Sequence, residues 1–296
     1  MDPSQPIGLF DSGVGGLSVF RRIRADLPYE TLLYVADSGH APYGNKAVDF
    51  IIQRSVAISE FLLEQGAKAI VVACNTATAT AIVRLREQFA VPVIGIEPAL
   101  KPAVAATRSG VVGILATGHT VRSDKFAALL DQHGHRARVM VQPCPGLADC
   151  VEEGDLNGPH PRALLESYLQ PLLAQGADTL VLGCTHYPFL TPLIQHLAGP
   201  NVAIVDPSAA VARQVRCRLE AAAALADRNG MSGERYFTSG ALDRTARVMG
   251  LLLEQPVPLQ PLPKPFRPEE MRLNSAAPSA PPATTSGLKS RTLGSR

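Results

Sequence analysis

Short apolar runs alternate with helical patterns along most of the chain. The runs, of four to seven residues, predict strands at 6–10, 31–35, 69–73, 92–96, 111–115, 137–141, 179–183 and 202–205. The segments between them predict helices near 15–26, 46–65, 76–88, 98–107, 119–133, 161–174, 188–198 and 208–227. Continuous apolar runs between helices are typical of parallel strands that are buried on both faces. The pattern therefore predicts an α/β fold with doubly wound parallel sheets.

The pattern occurs twice in the chain. Residues 65–74 read QGAKAIVVAC and residues 175–184 read QGADTLVLGC, at an offset of 110 residues. Two further segments match in the same order, namely 7–13 with 112–118 and 93–98 with 202–207. A period near 110 residues suits two similar domains rather than the units of a solenoid. We therefore expect two doubly wound domains related by internal duplication, with an active site in the cleft between them.

The repeats also indicate where the domains begin and end. Pro98 and Pro207 are the expected crossover points, and the segment after Pro207 does not continue the second repeat. The C-terminal segment has no apolar period with which to offset its ordering entropy. We expect a discontinuous first domain at 1–97 and 208–258, a second domain at 98–207, and a disordered basic tail rich in Pro and Ser at 259–296.

The composition is that of an ordinary globular protein. The 296 residues carry a net charge of +2, and 46% of them are hydrophobic. No apolar stretch is long enough to cross a membrane, and the N-terminus lacks the pattern of a secretory signal. Five cysteines without the spacing of a disulfide framework suit free thiols in a reducing compartment, so we expect a cytoplasmic location.

The duplicated cysteines are the first candidates for chemistry. Cys74 and Cys184 each follow a predicted strand, and active residues of such sheets lie past the carboxyl ends of strands. A thiol at a helix N-terminus or beside a cation can become a reactive thiolate, although a lone Cys is also a common small core residue. Two thiols facing each other across a cleft suit the movement of a proton from one face of a carbon to the other. Cys144, Cys150 and Cys217 lack this context, and we interpret them as structural.

The glycine-rich loop at 11–16, DSGVGG, follows the first predicted strand. It departs from the dinucleotide fingerprint because Ser18 occupies the place of the last glycine, and no GK[ST] follows. Its amides could hold a carboxylate at a helix N-terminus, or it could be a plain strand-to-helix turn. Asp11 in this loop is a candidate for orienting or accepting a proton.

Metal and cofactor chemistry is not indicated. The chain contains no CxxC, HxxxH or HExxH pattern, and His186 next to Cys184 is weak support for a closed zinc site. No lysine lies in a setting typical of a pyridoxal phosphate Schiff base. The pair Glu152-Glu153 could belong to a solvated loop or could include a carboxylate that supports His186. We expect neither a metal nor a cofactor.

Six motifs, in the same order, resemble those of the glutamate racemase family. They are GLFDSGVGGLSV, YVADSGHAPYGNK, VVACNTATA, GIEPALKPA, LATGHTVRS and LVLGCTHYPFL. The resemblance extends over about residues 6–255, which is nearly the whole chain except the tail. It implies a cofactor-independent two-base racemase that converts L-glutamate to D-glutamate for peptidoglycan synthesis.

The resemblance also implies roles for individual residues. Cys184 would take the α-proton from L-glutamate while Cys74 delivers a proton to the opposite face, with the roles reversed for D-glutamate. Asp11 would assist Cys74, and His186 would assist Cys184 with support from Glu152. The chain differs from many family members just before Glu152, so Glu153 is the alternative for this last role. The implied substrate-binding residues are Asp11, Ser12, Pro42, Tyr43, Gly44, Asn75, Thr76, Thr117, Thr120, Thr185 and His186.

Two other functions are compatible with the sequence. The chain could be a racemase, isomerase or decarboxylase for another small acid, such as aspartate or a hydantoin. It could instead act by binding a partner through its basic tail, since some glutamate racemases are thought to inhibit DNA gyrase; we do not favour such a nucleic-acid or gyrase contact. The expected ligand is glutamate, no membrane contact is expected, and a homodimer is compatible with the family.

Overall fold

Ten β-strands form the framework of the computed structural model, which describes residues 2–227, 232–263 and 266. In chain order they are β1 (Ile7–Asp11), β2 (Leu32–Ala36), β3 (Ala69–Val72), β4 (Val93–Gly95), β5 (Val111–Ala116), β6 (Arg138–Pro143), β7 (Thr179–Gly183), β8 (Ala203–Val205), β9 (Glu234–Thr238) and β10 (Leu259–Pro261). Each of the eight strands expected from the apolar runs is present, with ends displaced by at most two residues.

Within the described residues, eleven α-helices cover the strands. They are α1 (Leu17–Asp26), α2 (Val48–Glu64), α3 (Asn75–Gln88), α4 (Leu100–Ala106), α5 (Gly118–Val121), α6 (Asp124–His133), α7 (Leu147–Glu153), α8 (Pro159–Ala174), α9 (Thr191–Ala198), α10 (Ser208–Ala221) and α11 (Leu242–Leu253). Short 3₁₀ turns occur at Tyr43–Asn45, Gly134–Arg136 and Tyr187–Leu190. In the part of the chain that the structure describes, no helix combines the length and the apolar character needed to cross a bilayer.

The strands form two parallel sheets. The first has the order β10-β9-β2-β1-β3-β4, and the second has the order β6-β5-β7-β8. All neighbouring strands are parallel, and β1, β2, β3 and β7 are buried along their whole length. Burial on both faces explains why these strands read as continuous apolar runs. The expected fold, two doubly wound α/β layers, is confirmed.

One hydrophobic core joins the two sheets. A continuous cluster of buried side chains includes Leu9 and Val71 of the first sheet and Leu115 and Leu182 of the second. After β8 the chain returns to the first sheet, where α10 packs on α1 and β9 pairs with β2. The carboxyl ends of strands from both sheets are therefore held in a fixed relation across a shared cleft.

The sequence missed several elements that lack a strong apolar period. Strand β9, of sequence ERYFT, carries charged residues at its start, and α7 is a short helix between Gly146 and Gly154, which both have positive φ. The single helix expected at 119–133 is two helices, because the Ser123 side chain accepts the Phe126 N–H and caps α6. Local capping and pairing with distant strands decide these elements.

The predicted start of the C-terminal tail is wrong. Residues Leu259–Pro261 pair with β9, and Leu262 is fully buried in the core cluster of the first sheet. Phe266 packs on Phe61, with ring centroids 5.5 Å apart. These apolar contacts are made between segments distant in sequence, so no local period announces them. The rest of the predicted tail, 264–265 and 267–296, lies outside the described residues.

The duplication is visible in the backbone. Gly66 follows α2 and Gly176 follows α8, and each has a φ of +83°. In both cases the glycine N–H donates to the carbonyl three residues earlier, and the next N–H donates to the carbonyl five residues earlier. This is the left-handed helix terminus that favours glycine. The two copies therefore end the same helix in the same way before the strand that carries each cysteine.

Replacing either glycine by alanine tests this description. A Cβ at Gly66 or Gly176 would meet no atom within 4 Å, so the penalty comes only from the backbone conformation. We expect Gly66→Ala and Gly176→Ala each to lower the free energy of unfolding by about 1 kcal/mol in urea denaturation. Gly134→Ala is the control, because Gly134 has a φ of −74° and an added Cβ would only reach ordinary contact. Equal stability of all three variants would contradict the proposed strain.

Candidate active site

The residues singled out from the sequence lie at the carboxyl ends of central strands. Asp11 ends β1, Cys74 follows β3 by two residues, Thr117 follows β5, and Cys184 follows β7. The first two belong to the first sheet and the last two to the second. Ligand sites of parallel sheets form at this edge. Here two such edges meet, and side chains from both line one cleft.

Cys74 is held as a buried thiol at the N-terminus of α3. Its Sγ accepts the Ala77 N–H at 3.4 Å and lies 3.8 Å from Ser12 Oγ. Burial raises the pKa of Cys74 well above its ordinary value, and the negative charge of Asp11 raises it further. The hydrogen bond from Ala77 opposes this shift but does not cancel it. Cys74 is therefore protonated at neutral pH.

Asp11 is a fully buried carboxylate beside Cys74. Its Oδ1 accepts the Ser12 N–H at 2.7 Å, and its Oδ2 accepts the Gly16 N–H at 2.6 Å and the Thr185 hydroxyl at 3.2 Å. Burial raises the pKa of Asp11, although the charge of His186 and the hydrogen bond with Cys74 act in the opposite direction. A carboxylate with a raised pKa is better matched to accepting a proton near neutral pH.

Cys184 has a different set of neighbours. Its Sγ lies 3.6 Å from His186 Nδ1, and His186 Nε2–H donates to Glu152 Oε1 at 2.7 Å. Burial alone would lower the pKa of His186, but the hydrogen bonds and charges of Cys184 and Glu152 outweigh it and raise that pKa well above its ordinary value. The imidazole is therefore cationic, and it offers Cys184 a positive partner that Cys74 lacks among its described contacts.

The two neighbouring glutamates occupy different environments. Glu152 Oε1 also accepts the Val14 N–H at 2.7 Å, and the Glu152 side chain is 12% exposed. The Glu153 side chain is 64% exposed and lies 4.0 Å from Arg244. The structure thus brings Glu152 to His186 and leaves Glu153 at the surface.

The glycine-rich loop after β1 allows the two domains to approach closely. A Cβ on Gly13 would lie 1.8 Å from Glu152 Oε1, and a Cβ on Gly15 would lie 2.3 Å from His186 Nδ1. Any side chain at either position would displace the Glu152–His186 pair. Glycine at positions 13 and 15 therefore allows the loop to lie close against the second domain.

Hydroxyl groups line the part of the cleft between α3 and α5. Thr76 Oγ1 lies 3.1 Å from Thr117 Oγ1, which in turn lies 2.9 Å from Thr120 Oγ1. Thr76 belongs to the first domain and the other two to the second, so this chain of hydroxyls crosses the cleft. Ser12 and Thr185, both buried, place further hydroxyls near Asp11.

Asn75 has a buried side chain without a hydrogen-bond partner. Both its amide nitrogen and its amide oxygen lack one among the described residues, and the residue is 4% exposed. Buried polar groups are nearly always paired, so an unpaired donor and acceptor in a cleft need an explanation. A ligand that offers both an acidic and a basic group would satisfy them.

The turn Pro42–Gly44 reaches the cleft through its backbone. Tyr43 is buried, and its hydroxyl donates to Asp37 Oδ2 at 2.6 Å. A Cβ on Gly44 would lie 3.5 Å from Thr117 Cβ, which places the turn opposite the second domain. Sequence reasoning missed Asp37, although the signal was present: the tripeptide Asp-Ser-Gly occurs at the end of β1, at 11–13, and recurs directly after β2, at 37–39.

The described residues contain neither a cluster of side chains that could hold a metal ion nor a disulfide bond. None of the described His, Cys, Asp and Glu side chains form a group of three or more that could hold a metal ion. All five cysteines are unbonded, and Cys74, Cys144, Cys150 and Cys184 are buried while Cys217 is exposed.

Comparisons with known proteins agree with this geometry. The family model described as Asp/Glu/Hydantoin racemase matches residues 16–215. The glutamate racemase of Ectopseudomonas mendocina is 56% identical over 255 residues, which cover 86% of this chain and 97% of that protein.

Solved structures of glutamate racemases also match most of the chain. A glutamate racemase isoform of Bacillus anthracis superposes with a TM-score of 0.80 at 33% identity, covering 88% of this chain and 98% of that one. The Escherichia coli glutamate racemase, solved with L-glutamate and the activator UDP-MurNAc-Ala, gives a TM-score of 0.75 at 32% identity, covering 87% of this chain and 97% of that one. The matches span both sheets and the cleft between them, so the resemblance found in the motifs is confirmed. The chain belongs to the Asp/Glu/hydantoin racemase family, among its glutamate racemases.

Proposed function

We propose that the protein interconverts L- and D-glutamate by two-base proton transfer between Cys74 and Cys184, without a cofactor. The observation that carries the proposal is the pair of buried thiols, one from each sheet, with unlike partners. Racemisation needs a base on one face of the α-carbon and an acid on the other. D-glutamate is a component of peptidoglycan, so the proposed role lies in cell-wall synthesis.

The two thiols are prepared for opposite tasks. The cationic His186 stabilises a thiolate at Cys184, which takes the α-proton from L-glutamate. The raised pKa keeps the proton on Cys74, which delivers it to the opposite face. Glu152 accepts a hydrogen bond from His186 Nε2, which orients the ring and stabilises its positive charge.

The reverse reaction uses the same groups with exchanged roles. For D-glutamate, Cys74 must first lose its proton, and the nearby Asp11 carboxylate, with its raised pKa, is the group that accepts it. The Cys74 thiolate takes the α-proton from D-glutamate, and Cys184, to which His186 has returned a proton, protonates the carbanion on the opposite face to give L-glutamate. The site therefore works in both directions through different helpers.

The α-proton of an amino acid is a weak acid, so the carbanion needs stabilisation in a cleft that excludes water. The unpaired amide of Asn75 can donate to a substrate carboxylate and accept from its ammonium group. The hydroxyls of Ser12, Thr76, Thr117, Thr120 and Thr185 and the backbone of the Pro42–Gly44 turn supply further polar contacts. Asp11 and His186 complete the set of substrate neighbours.

The alternative of another small acid is tested by a substrate panel. The family model includes aspartate and hydantoin racemases, whereas the relatives of high identity are named glutamate racemases. Racemisation of L-glutamate with no comparable turnover of L-aspartate or hydantoins supports the proposal. The expected homodimer stays a prediction, and a cytoplasmic location is in keeping with five unbonded cysteines.

Replacement of either thiol tests the two-base mechanism. We expect Cys74→Ala and Cys184→Ala each to lower kcat for racemisation by roughly 1,000-fold or more, because each removes one of the two proton-transfer groups. The measurement follows optical rotation and α-deuteration of L-glutamate in D2O, without added cofactor and with a chelator present.

The exposed Cys217→Ala variant is the matched control and should keep wild-type activity. A wild-type rate in either Cys74→Ala or Cys184→Ala would contradict the two-base mechanism. Absence of racemisation by folded wild-type protein would overturn the proposed function itself.

The charge of His186 gives a second prediction. The imidazole should titrate well above its ordinary pKa of 6.5 in NMR spectra, whereas His119, whose pKa is lowered by burial, should titrate below it. A group whose pKa is raised on folding stabilises the folded protein. This stabilisation is fully present when the pH is below the pKa of the unfolded state, and it is lost as the pH rises through the pKa of the folded state. We therefore expect the contribution of His186 to the free energy of unfolding to be lost at alkaline pH, as the pH rises through its folded-state pKa.

Glu152→Gln removes the negative partner and should lower the pKa of His186, with less stability lost at alkaline pH. His119→Gln is the control, since its ring contacts Thr80 rather than the Glu152 pair. A His186 pKa at or below 6.5 in the wild type would show that the ring is not cationic at neutral pH and would contradict the proposed charge.

A further inference from the structure

Asp37 is a fully buried carboxylate that the proton transfers do not use. It is the first residue after β2, at the same edge of the sheet as Asp11. Its Oδ1 accepts from Arg54 Nη2 and Ser239 Oγ, both at 2.6 Å. Its Oδ2 accepts from Tyr43 Oη at 2.6 Å and from Arg54 Nε at 3.0 Å. His40 Nδ1 lies 3.1 Å from both oxygens.

The carboxylate is permanently charged and fully paired. Burial would raise the pKa of Asp37, but the hydrogen bond with His40 and the charge of Arg54 lower it to about 2. Arg54 is also buried, and its Nη1 donates to the Phe266 carbonyl at 2.9 Å. A buried ion pair is retained only when its hydrogen bonds are satisfied, and this one is. Asp37 therefore holds its neighbours in place and does not transfer protons.

Two of the groups that bind Asp37 lie beside or within the turn that faces the cleft. His40 precedes the Pro42–Gly44 turn and Tyr43 lies within it. The Tyr43 ring is buried in the core of the first domain, so its hydroxyl anchors the turn from behind. The backbone on the other side of the turn lies against Thr117 of the second domain.

The same carboxylate also reaches the C-terminal strands. Ser239 follows β9, and its Oγ accepts the Gly39 N–H at 3.1 Å while it donates to Asp37. Arg54 extends the network to Phe266, which follows β10. Segments that begin some 200 residues apart in the chain thus meet at one carboxylate.

We propose that Asp37 is the positioning residue for the Pro42–Gly44 turn, and that Ser239 and Arg54 extend this clamp to the C-terminal strands. The inference rests on the proposed function, because the turn is argued to contact the substrate. A turn ordered before binding removes an entropic cost from substrate association. Among the described residues, the hydrogen bonds of Asp37 include neither Cys74 nor Cys184, so we expect the clamp to affect both enantiomers alike.

Two variants weaken the clamp without leaving a buried charge unpaired. We expect Tyr43→Phe to raise KM about 10-fold for L- and D-glutamate, with kcat changed by less than about threefold. Ser239→Ala should raise KM by a smaller factor. The combined variant should raise KM by less than the product of the two, because both act through Asp37.

Tyr236→Phe is the matched control. The Tyr236 ring is buried, and its hydroxyl donates to the Glu234 carboxylate at 2.6 Å within β9, so the variant loses a similar bond outside this network. It should keep the wild-type KM. A rise in KM of equal size in Tyr236→Phe, or an unchanged KM in both Tyr43→Phe and Ser239→Ala, overturns the proposal.

Amide hydrogen exchange measured by mass spectrometry separates this proposal from the racemase assignment. The peptide that contains residues 41–46 should exchange about 10-fold faster in Tyr43→Phe and faster in Ser239→Ala, and at the wild-type rate in Tyr236→Phe. This readout stands even if the wild type fails to racemise glutamate. Unchanged exchange in both clamp variants overturns the positioning role while leaving the racemase assignment intact.

Discussion

The hydrogen-bonded pair of Glu152 and His186 is the interaction on which the site depends. A charged imidazole and a carboxylate can remain buried only because each satisfies the other and because the Val14 N–H also binds Glu152. The Val14 contact joins residues 138 positions apart and links the second domain to the loop after β1. Glycines at positions 13 and 15 make room for it. One polar contact thus sets both the approach of the domains and the charge beside Cys184.

The two halves of the cleft differ in charge although their frameworks are copies. Each thiol follows a buried strand that is preceded by the same left-handed glycine turn. Burial raises the pKa of Cys74, and the buried carboxylate beside it raises that pKa further, so the thiol form is favoured. Cys184 has a cationic ring beside it. The duplication supplies two similar positions, and in the proposed mechanism the unlike partners make them an acid and a base for opposite faces of one carbon.

Much of the fold was predictable because the signal is local. Strands buried on both faces, such as β3 and β7, need continuous apolar residues, and the apolar runs predicted these two together with the other six strands from β1 to β8. Strand β9 begins with charged residues, and β10, of sequence LQP, has exposed residues at two of its three positions, so neither has an apolar run that would predict it. The motifs predicted which residue types would line the cleft. The Asp37 network was not predicted, because the repeated Asp-Ser-Gly tripeptide marks Asp37 but not its partners, and Ser239 lies 202 positions from it.

The sequence by itself determined the α/β layers, the duplication, the two cysteines and the family to which the motifs belong. These depend on periodicity and on residue identity, which are properties of neighbouring positions. Tertiary structure alone decided that Glu152 and not Glu153 reaches His186, that the Asn75 amide lies unpaired in the cleft, and that Tyr43 points away from it toward Asp37. The physical reason is that protonation and hydrogen bonding depend on burial and on partners from distant segments, and only the packed chain brings these together.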